Sequence, residues 1–245
     1  MAKVRFKGAF LGGLMTVAVA ALLPYPRRKD MGQQPQQPKQ PFDPNVLPNN
    51  PALPRDPSQR AFILKIAPLA RKVQVLTGIP ASVGIAQAIK ESGWGKRPIP
   101  GDWFGPSYNY LGHKCSSRDR ETPLYVEWRP IQLVWTSEEI SGQIVHVQAC
   151  FKGYWSELDG FLDWAFRFYR FAYYFGDNTI KRALSYRRNW QAFLDNGALY
   201  NYATGNKYVL SVKEIIKNYQ LYRYDVPVEH WRLHPVINQL LPAAK

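Results

Sequence analysis

The spacing of the apolar residues changes twice along this chain, and those changes fix the class of fold. Between Gln59 and Leu76, the residues Phe62, Ile66, Leu69, Ala70, Val73 and Leu76 recur every three or four positions, the signature of one helix face. Between Leu124 and Tyr154 the period drops to two. Val145, Val147, Ala149 and Phe151 alternate with polar residues, as do Val126 and Trp128 before Pro130, which predicts short strands of a small antiparallel sheet. From Leu158 the helical spacing returns through Phe161, Leu162, Ala165, Phe166, Tyr169, Ala172 and Tyr173. A weaker helix is expected over Asn178–Leu194, and a clear one on Tyr208, Val212, Ile215, Ile216 and Tyr219. Helices, a small sheet, then helices again make an α+β, predominantly helical fold, with the sheet as its own lobe. A groove between two such lobes is a natural place for a long substrate.

The first 57 residues do not share this patterning. Lys3, Arg5 and Lys7 precede an uncharged run from Gly8 to Leu23, with Ala18-Val19-Ala20 as a small-x-small site. Residues 1–23 thus read as a signal peptide or a membrane anchor. The run of 16 residues is short of the ~20 that a spanning helix needs. Either reading sends the remainder out of the cytoplasm, to a periplasm or cell envelope. No cysteine follows the run, which excludes a lipoprotein anchor. Residues 24–57 are dominated by Pro, Gln and Asn, too poor in apolar side chains to fold, and read as an extended linker. The folded domain is expected over 58–225. Residues 226–245 form a tail with no clear pattern.

One stretch, Pro80–Gly95, delivers an acidic side chain to a helix end. Pro80 suits a first helical turn, and Gly93 and Gly95 supply the stop. Ile85, Ala86, Ala88 and Ile89 form an apolar stripe, while Gly84, Gln87 and Glu91 share another face, narrow and polar enough for the floor of a groove. On the helix alone, Glu91 also reads as an ordinary solvated glutamate on an amphipathic helix.

The net charge of +14 favours polyanionic surroundings, whether nucleic acid, anionic lipid or an acidic wall polymer. No helix-turn-helix or zinc-finger signature accompanies it. Cys115 and Cys150 lack metal-ligand spacing. In an exported chain they read as a disulfide, closing a loop of ~35 residues and adding about 3–4 kcal/mol. His230 and His234 are spaced i, i+4, but Pro235 follows at once and no third ligand is evident, so no metal site is expected. Nor is a cofactor.

Four blocks then carry a resemblance. The first is Ala81-Ser82-Val83, Ala86-Gln87-Ala88 and Glu91-Ser92-Gly93-Trp94-Gly95. The second is Asn109-Tyr110-Leu111-Gly112-His113-Lys114. The third joins Thr136-Ser137-Glu138 and Gly142 to Phe151-Lys152-Gly153-Tyr154-Trp155-Ser156. The fourth is Tyr202-Ala203-Thr204 with Tyr208, closed by Tyr219, Tyr222 and Tyr224-Asp225. In content and order they resemble the glucosaminidase family of peptidoglycan hydrolases, glycoside hydrolase family 73. The resemblance covers roughly Ser58 to Asp225.

It implies a lysozyme-like fold and hydrolysis of a β-1,4 bond after N-acetylglucosamine in peptidoglycan. Glu91 matches the catalytic acid, which must hold a proton at neutral pH and so needs a raised pKa. Trp94 is a candidate indole neighbour that would desolvate it. Glu138 matches the second carboxylate, activating water or stabilising charge on the sugar, although Glu139 stands where the family favours tyrosine. Tyr202 is a candidate to orient the substrate's acetamido group in a substrate-assisted route, or else a packing residue. Gln87, Trp94, Trp103, Asn109, Tyr110 and Tyr208 are the expected substrate contacts. Trp103, with Phe104 and Tyr108, either stacks on sugars or caps the lobe as local core. His113 replaces the family's isoleucine and Tyr110 an apolar residue. The expected partners are glycan strands and anionic wall polymers, plus the membrane if the N-terminal segment is uncleaved, with no nucleic acid. A lytic transglycosylase and a non-catalytic wall-binding protein are the alternatives that share this pattern.

Overall fold

A computed structural model describes residues 42–97, 99–140, 143–200, 202 and 206–241; the side chains of 132, 133, 137–140, 144 and 206 lie outside that description. The expected signal or anchor over 1–23 and the first part of the expected linker therefore fall outside the described residues. Among the described residues no helix is long and apolar enough to cross a membrane.

Among the described residues seven α-helices and one hairpin follow, with helices before and after the hairpin as the spacing predicts: α1 (Pro57–Thr77), α2 (Ala81–Ser92), β1 (Arg129–Ile140), β2 (Gln143–Gly153), α3 (Glu157–Tyr169), α4 (Asn178–Ser185), α5 (Trp190–Asp195), α6 (Asn206–Asn218) and α7 (Pro235–Leu240). Asp56 caps α1 by accepting from the backbone N–H groups of Ser58 and Gln59, as Ser156 caps α3 through Asp159. These caps satisfy donors that the first helical turn leaves open. The helix expected over Asn178–Leu194 is two helices, α4 and α5, separated by a turn at Tyr186–Asn189.

β1 and β2 pair antiparallel, with Glu138 opposite Val145 and Thr136 opposite Val147. Lys114 forms an isolated bridge to Phe151 on the other edge of β2. The strand expected at Val126 and Trp128 is not formed, because β1 begins only at Arg129. The chain there is engaged otherwise. The Leu124 carbonyl accepts from Arg170, and the Trp128 ring lies under the cations of Arg120 and Lys152.

α2 is the centre of the molecule. Every residue from Ala81 to Ile89 is buried, so this is a helix covered on all sides. Gly84, expected on a groove floor, instead packs on α3: a methyl group there would lie 3.0 Å from the Trp164 ring. Gly93, at φ +56, ends the helix in the left-handed conformation, and Trp94 and Gly95 continue with positive φ. The turn so formed leaves Glu91 on the last helical turn, half-buried, at the rim of the core.

Two stretches expected outside the folded domain are packed onto it. Residues 42–56 dock by hydrogen bonds in both directions: Arg71 donates to the carbonyls of Pro44 and Val46, and the buried Asn50 side-chain amide donates to the Tyr219 carbonyl. Beyond Asp225, the N–H groups of Arg232 and His234 donate to Val75 and Leu76 at the end of α1, and Ile237 is fully buried. Hydrophobic patterning misses both because hydrogen bonds to main-chain carbonyls and scattered apolar contacts such as Leu47, Leu53 and Val236, rather than a periodic stripe, hold them.

The hairpin is joined to the helices by a buried ionic knot. Asp163 of α3 accepts from Lys152 Nζ at 2.8 Å, from Tyr154 Oη at 2.6 Å and from Arg170 at 2.8 Å. Lys152 also pairs with Asp119. Burial pushes the Asp163 pKa up, but the His113 hydrogen bond and then the Arg170 and Lys152 cations outweigh it and hold the carboxylate well below its ordinary range. Cys115 and Cys150 form a disulfide, with Cα atoms 5.4 Å apart. The bond ties the chain before the hairpin to β2.

Candidate active site

Glu91 sits at the end of a directed chain of hydrogen bonds. Trp164 Nε1 donates to Gln87 Oε1 at 2.8 Å, Gln87 Nε2 donates to Tyr208 Oη at 2.9 Å, and Tyr208 Oη donates to Glu91 Oε1 at 2.6 Å. An indole N–H can only donate, so it fixes the Gln87 amide with its oxygen towards Trp164 and its nitrogen towards Tyr208. The Tyr208 oxygen then accepts, and its single hydrogen goes to Glu91. Oε1 is thereby an acceptor, and a proton held by this carboxyl group belongs on Oε2. That oxygen faces Gly112, where an added methyl carbon would come within 3.6 Å. Gly112 has φ +66, a conformation that glycine adopts without strain. Its missing side chain keeps the space in front of Oε2 open.

Burial raises the Glu91 pKa above the ordinary glutamate value; the Tyr208 hydrogen bond and the nearby Lys90 charge oppose this without reversing it. Desolvation disfavours the charged form of a carboxylic acid. The site therefore holds a carboxyl group biased towards its protonated form, with one oxygen occupied and the other facing a gap. Such a group can act as a proton donor.

The expected site residues distribute unevenly about this centre. Gln87 is completely buried; it positions Tyr208 and is out of reach of a substrate. Trp94 packs edge-on against Tyr219, with ring centres 5.1 Å apart, and lines a surface cleft with Lys90, Arg97 and Glu214. The indole linked to Glu91 is Trp164, through Gln87. Asn109 is also buried, with its side chain spent on the backbone: it donates to the carbonyls of His113 and Lys152 and accepts from the His113 N–H. It clamps the Gly112 loop to β2 and is not a sugar contact. Tyr110 donates to Glu157 and accepts from Lys65, joining α1 to α3. Tyr208, expected to touch substrate, hydrogen-bonds Glu91 directly.

Tyr202 stacks on Tyr208 at 5.3 Å but donates its hydroxyl hydrogen to the Leu111 carbonyl. Burial and the Glu91 charge raise its pKa, so it stays protonated and braces the Gly112 loop. Ala203 and Thr204 lie outside the described residues. Glu138 lies on β1, but its side chain is outside the description, as is that of Glu139. Trp103 is fully exposed, and Phe104 and Trp155 are exposed beside each other. That removes the local-core reading of Trp103. Arg129 holds the loop by binding Asp102 through Nε and donating to the carbonyls of Gly105 and Pro106.

The sequence reading missed Trp164 and Gly112. Gly112 carries a visible signal, as a glycine within the second block. Trp164 reads as one more apolar residue of α3. His230 stacks on Phe42 and His234 packs against Phe166. Among the described residues no group of three or more His, Cys, Asp or Glu is placed to hold a metal ion.

Residues 67–221 match the family described as mannosyl-glycoprotein endo-beta-N-acetylglucosaminidase, which is more than half of the chain. The chain is 30% identical over 167 residues to the peptidoglycan hydrolase FlgJ of Escherichia coli K12, covering 68% of this chain and 48% of that protein. It thus spans about half the length of that relative. Among solved structures, the catalytic domain of the autolysin Auto from Listeria monocytogenes is 26% identical with a TM-score of 0.52, over 74% of this chain and 92% of that one. A mutant peptidoglycan hydrolase from Sphingomonas sp. A1 shares the fold, at 24% identity and a TM-score of 0.51, over 67% of this chain and 96% of the other. With its mostly helical, lysozyme-like architecture and small antiparallel sheet, the chain belongs to the glucosaminidase family, glycoside hydrolase family 73.

Proposed function

We propose that this protein is an exported peptidoglycan hydrolase that cleaves the β-1,4 bond between N-acetylglucosamine and N-acetylmuramic acid, with Glu91 as the acid. The observation that carries this reading is the orientation of Glu91. Its Oε1 accepts from Tyr208 and its Oε2 faces the gap left by Gly112, while burial favours the protonated form.

In this mechanism the glycosidic oxygen enters the space before Gly112 and takes the proton from Oε2 as the bond to the sugar breaks. Positive charge develops on the ring carbon and ring oxygen of N-acetylglucosamine. Tyr208 keeps its hydrogen bond to Oε1 and so stabilises the glutamate anion that remains. The ring carbon is captured by water, assisted by Glu138 from the hairpin or by the substrate's own acetamido group. Tyr202 holds the Gly112 loop in place through Leu111. Trp103 and its exposed aromatic neighbours offer apolar faces on which sugars stack. The basic balance of the chain holds the enzyme on acidic wall polymers, and residues 1–23 direct it to the envelope.

Mass analysis of the fragments released from purified peptidoglycan tests this reading. The proposal requires reducing-end N-acetylglucosamine. Reducing-end N-acetylmuramic acid would replace the bond assignment, 1,6-anhydro ends would indicate a lytic transglycosylase, and intact glycan would indicate a wall-binding protein without activity.

A further inference from the structure

A cavity of about 380 Å³ lies beside the candidate acid, lined by Gly112, His113, Arg118, Arg167 and Tyr202 among others. Gly112 also faces Glu91 Oε2, and Tyr202 stacks on the tyrosine that bonds Glu91. The cavity therefore borders the site of bond cleavage. Its size falls within the range of small-ligand sites, roughly 300–1,000 Å³.

The charges around it do not cancel. Deep in its wall, Lys152 and Arg170 are matched by Asp119 and Asp163. Arg118 and Arg167 are not matched. The Arg118 guanidinium lies 4.3 Å from the centre of the Phe175 ring, and that of Arg167 lies 5.1 Å and 5.0 Å from those of Phe171 and Tyr202. Among the described residues neither has a carboxylate partner. Stacking on an aromatic face orients a guanidinium without consuming its N–H donors. Two oriented forks without a counter-ion suit a planar anion such as a carboxylate.

The His113 side chain in the cavity wall is not a ligand contact. His113 is buried, and its Nε2 has no hydrogen-bond partner among the described residues. Its Nδ1 lies 2.9 Å from Tyr154 Oη, and the one hydroxyl hydrogen of Tyr154 is given to Asp163. The hydrogen between His113 and Tyr154 therefore resides on Nδ1. Burial lowers the His113 pKa to about 4, so the ring is neutral and Nε2 is a bare acceptor. That atom is sealed from solvent as well as unpartnered, so a ligand in the cavity does not reach it.

We propose that this cavity binds the acidic stem peptide carried by the muramic sugar at the scissile bond, with Arg118 and Arg167 taking a peptide carboxylate. The inference rests on the glycosidase reading above and extends it. The substrate is then a peptide-substituted glycan, and the peptide helps to set which bond is presented to Glu91.

The test compares kcat/KM of the full chain on purified glycan strands bearing their peptides and on the same strands stripped of peptide by an amidase. The wild type should prefer the peptide-bearing strands by about tenfold, the scale of one charge-assisted hydrogen bond. In Arg118→Gln, with thermal stability checked against wild type, that ratio should fall towards one. Inorganic phosphate at millimolar concentration should leave the wild-type ratio unchanged. A wild-type ratio near one, a ratio in Arg118→Gln equal to that of wild type, or a preference abolished by phosphate would each overturn the proposal. Failure of the wild type to cleave either substrate would overturn the glycosidase reading instead.

Discussion

Replacing Asp163 by Asn tests how the hairpin is held to the helices. The carboxylate accepts from Lys152 and Tyr154 on one oxygen and from Arg170 on the other. An amide has only one acceptor oxygen, so in either orientation its NH₂ group meets a buried donor. Breaking a buried ion pair by removing one partner typically costs about 3–5 kcal/mol. Asp119 remains beside both Lys152 and Arg170, which sets the expectation at the lower end, about 3 kcal/mol. For a domain the size of Phe42–Lys245, each kcal/mol moves Tm by about 2–4 °C. Thermal unfolding followed by circular dichroism should therefore show a fall of about 6–12 °C. The pH dependence has a definite sign. The folded pKa of Asp163 is held far below its usual 3.8, so the stabilisation is complete above the unfolded value and is lost as pH falls towards the folded one. The gap between wild type and variant should be constant from about pH 5 to 8 and should close only below about pH 4. A fall in Tm under about 2 °C at pH 7, or a gap unchanged at pH 3, would mean that Asp163 does not hold the hairpin to the helices as an ionised partner.

Three further outcomes follow from the site. Tyr208→Phe leaves the Gln87 amide with an unpaired buried hydrogen, so stability should drop by about 1–3 kcal/mol in denaturant titration. The same change removes a contact that lowers the Glu91 pKa, so the alkaline limb of the pH–activity profile should shift upwards; a limb that stays in place or moves down would count against the hydrogen-bond chain. Glu91→Gln should gain stability relative to wild type as pH rises. A pKa raised above 4.5 gives stabilisation that is present at low pH and lost as pH climbs through the folded value. Equal Tm differences at pH 4 and pH 8 would contradict a buried, raised carboxyl group. Trp103→Ala should weaken chitooligosaccharide binding in calorimetry with stability unchanged to about 0.5 kcal/mol, because the side chain is fully exposed; unaltered binding would remove Trp103 from the sugar contacts.

The main elements were legible because each is written in local pattern. The period change at the hairpin, the glycine stop after Glu91 and the cysteine pair are all read within a few residues of where they act. The surroundings of Glu91 were not. Gln87 shares a helix face with Glu91, and that face reads as a groove floor until Trp164, 77 residues away, is seen to cover it. The ionic knot joins Asp119, Lys152, Asp163 and Arg170, and nothing in the local pattern of any of them marks a buried charge. Only the fold shows that they neutralise one another inside it. Residues 42–56 carry linker composition, but carbonyl oxygens need no particular side chain to accept from Arg71. Composition reports what a segment can bury, not which backbone groups a neighbour will claim.

The central claim is that the Glu91 carboxyl group supplies the proton on which glycan cleavage depends. Release of soluble fragments from purified peptidoglycan by Glu91→Gln, set beside wild type with matched circular dichroism spectra, measures it directly. The rate should be lower by about 100-fold or more, the scale of general acid catalysis. A folded Glu91→Gln protein releasing fragments within a few-fold of the wild-type rate would contradict it.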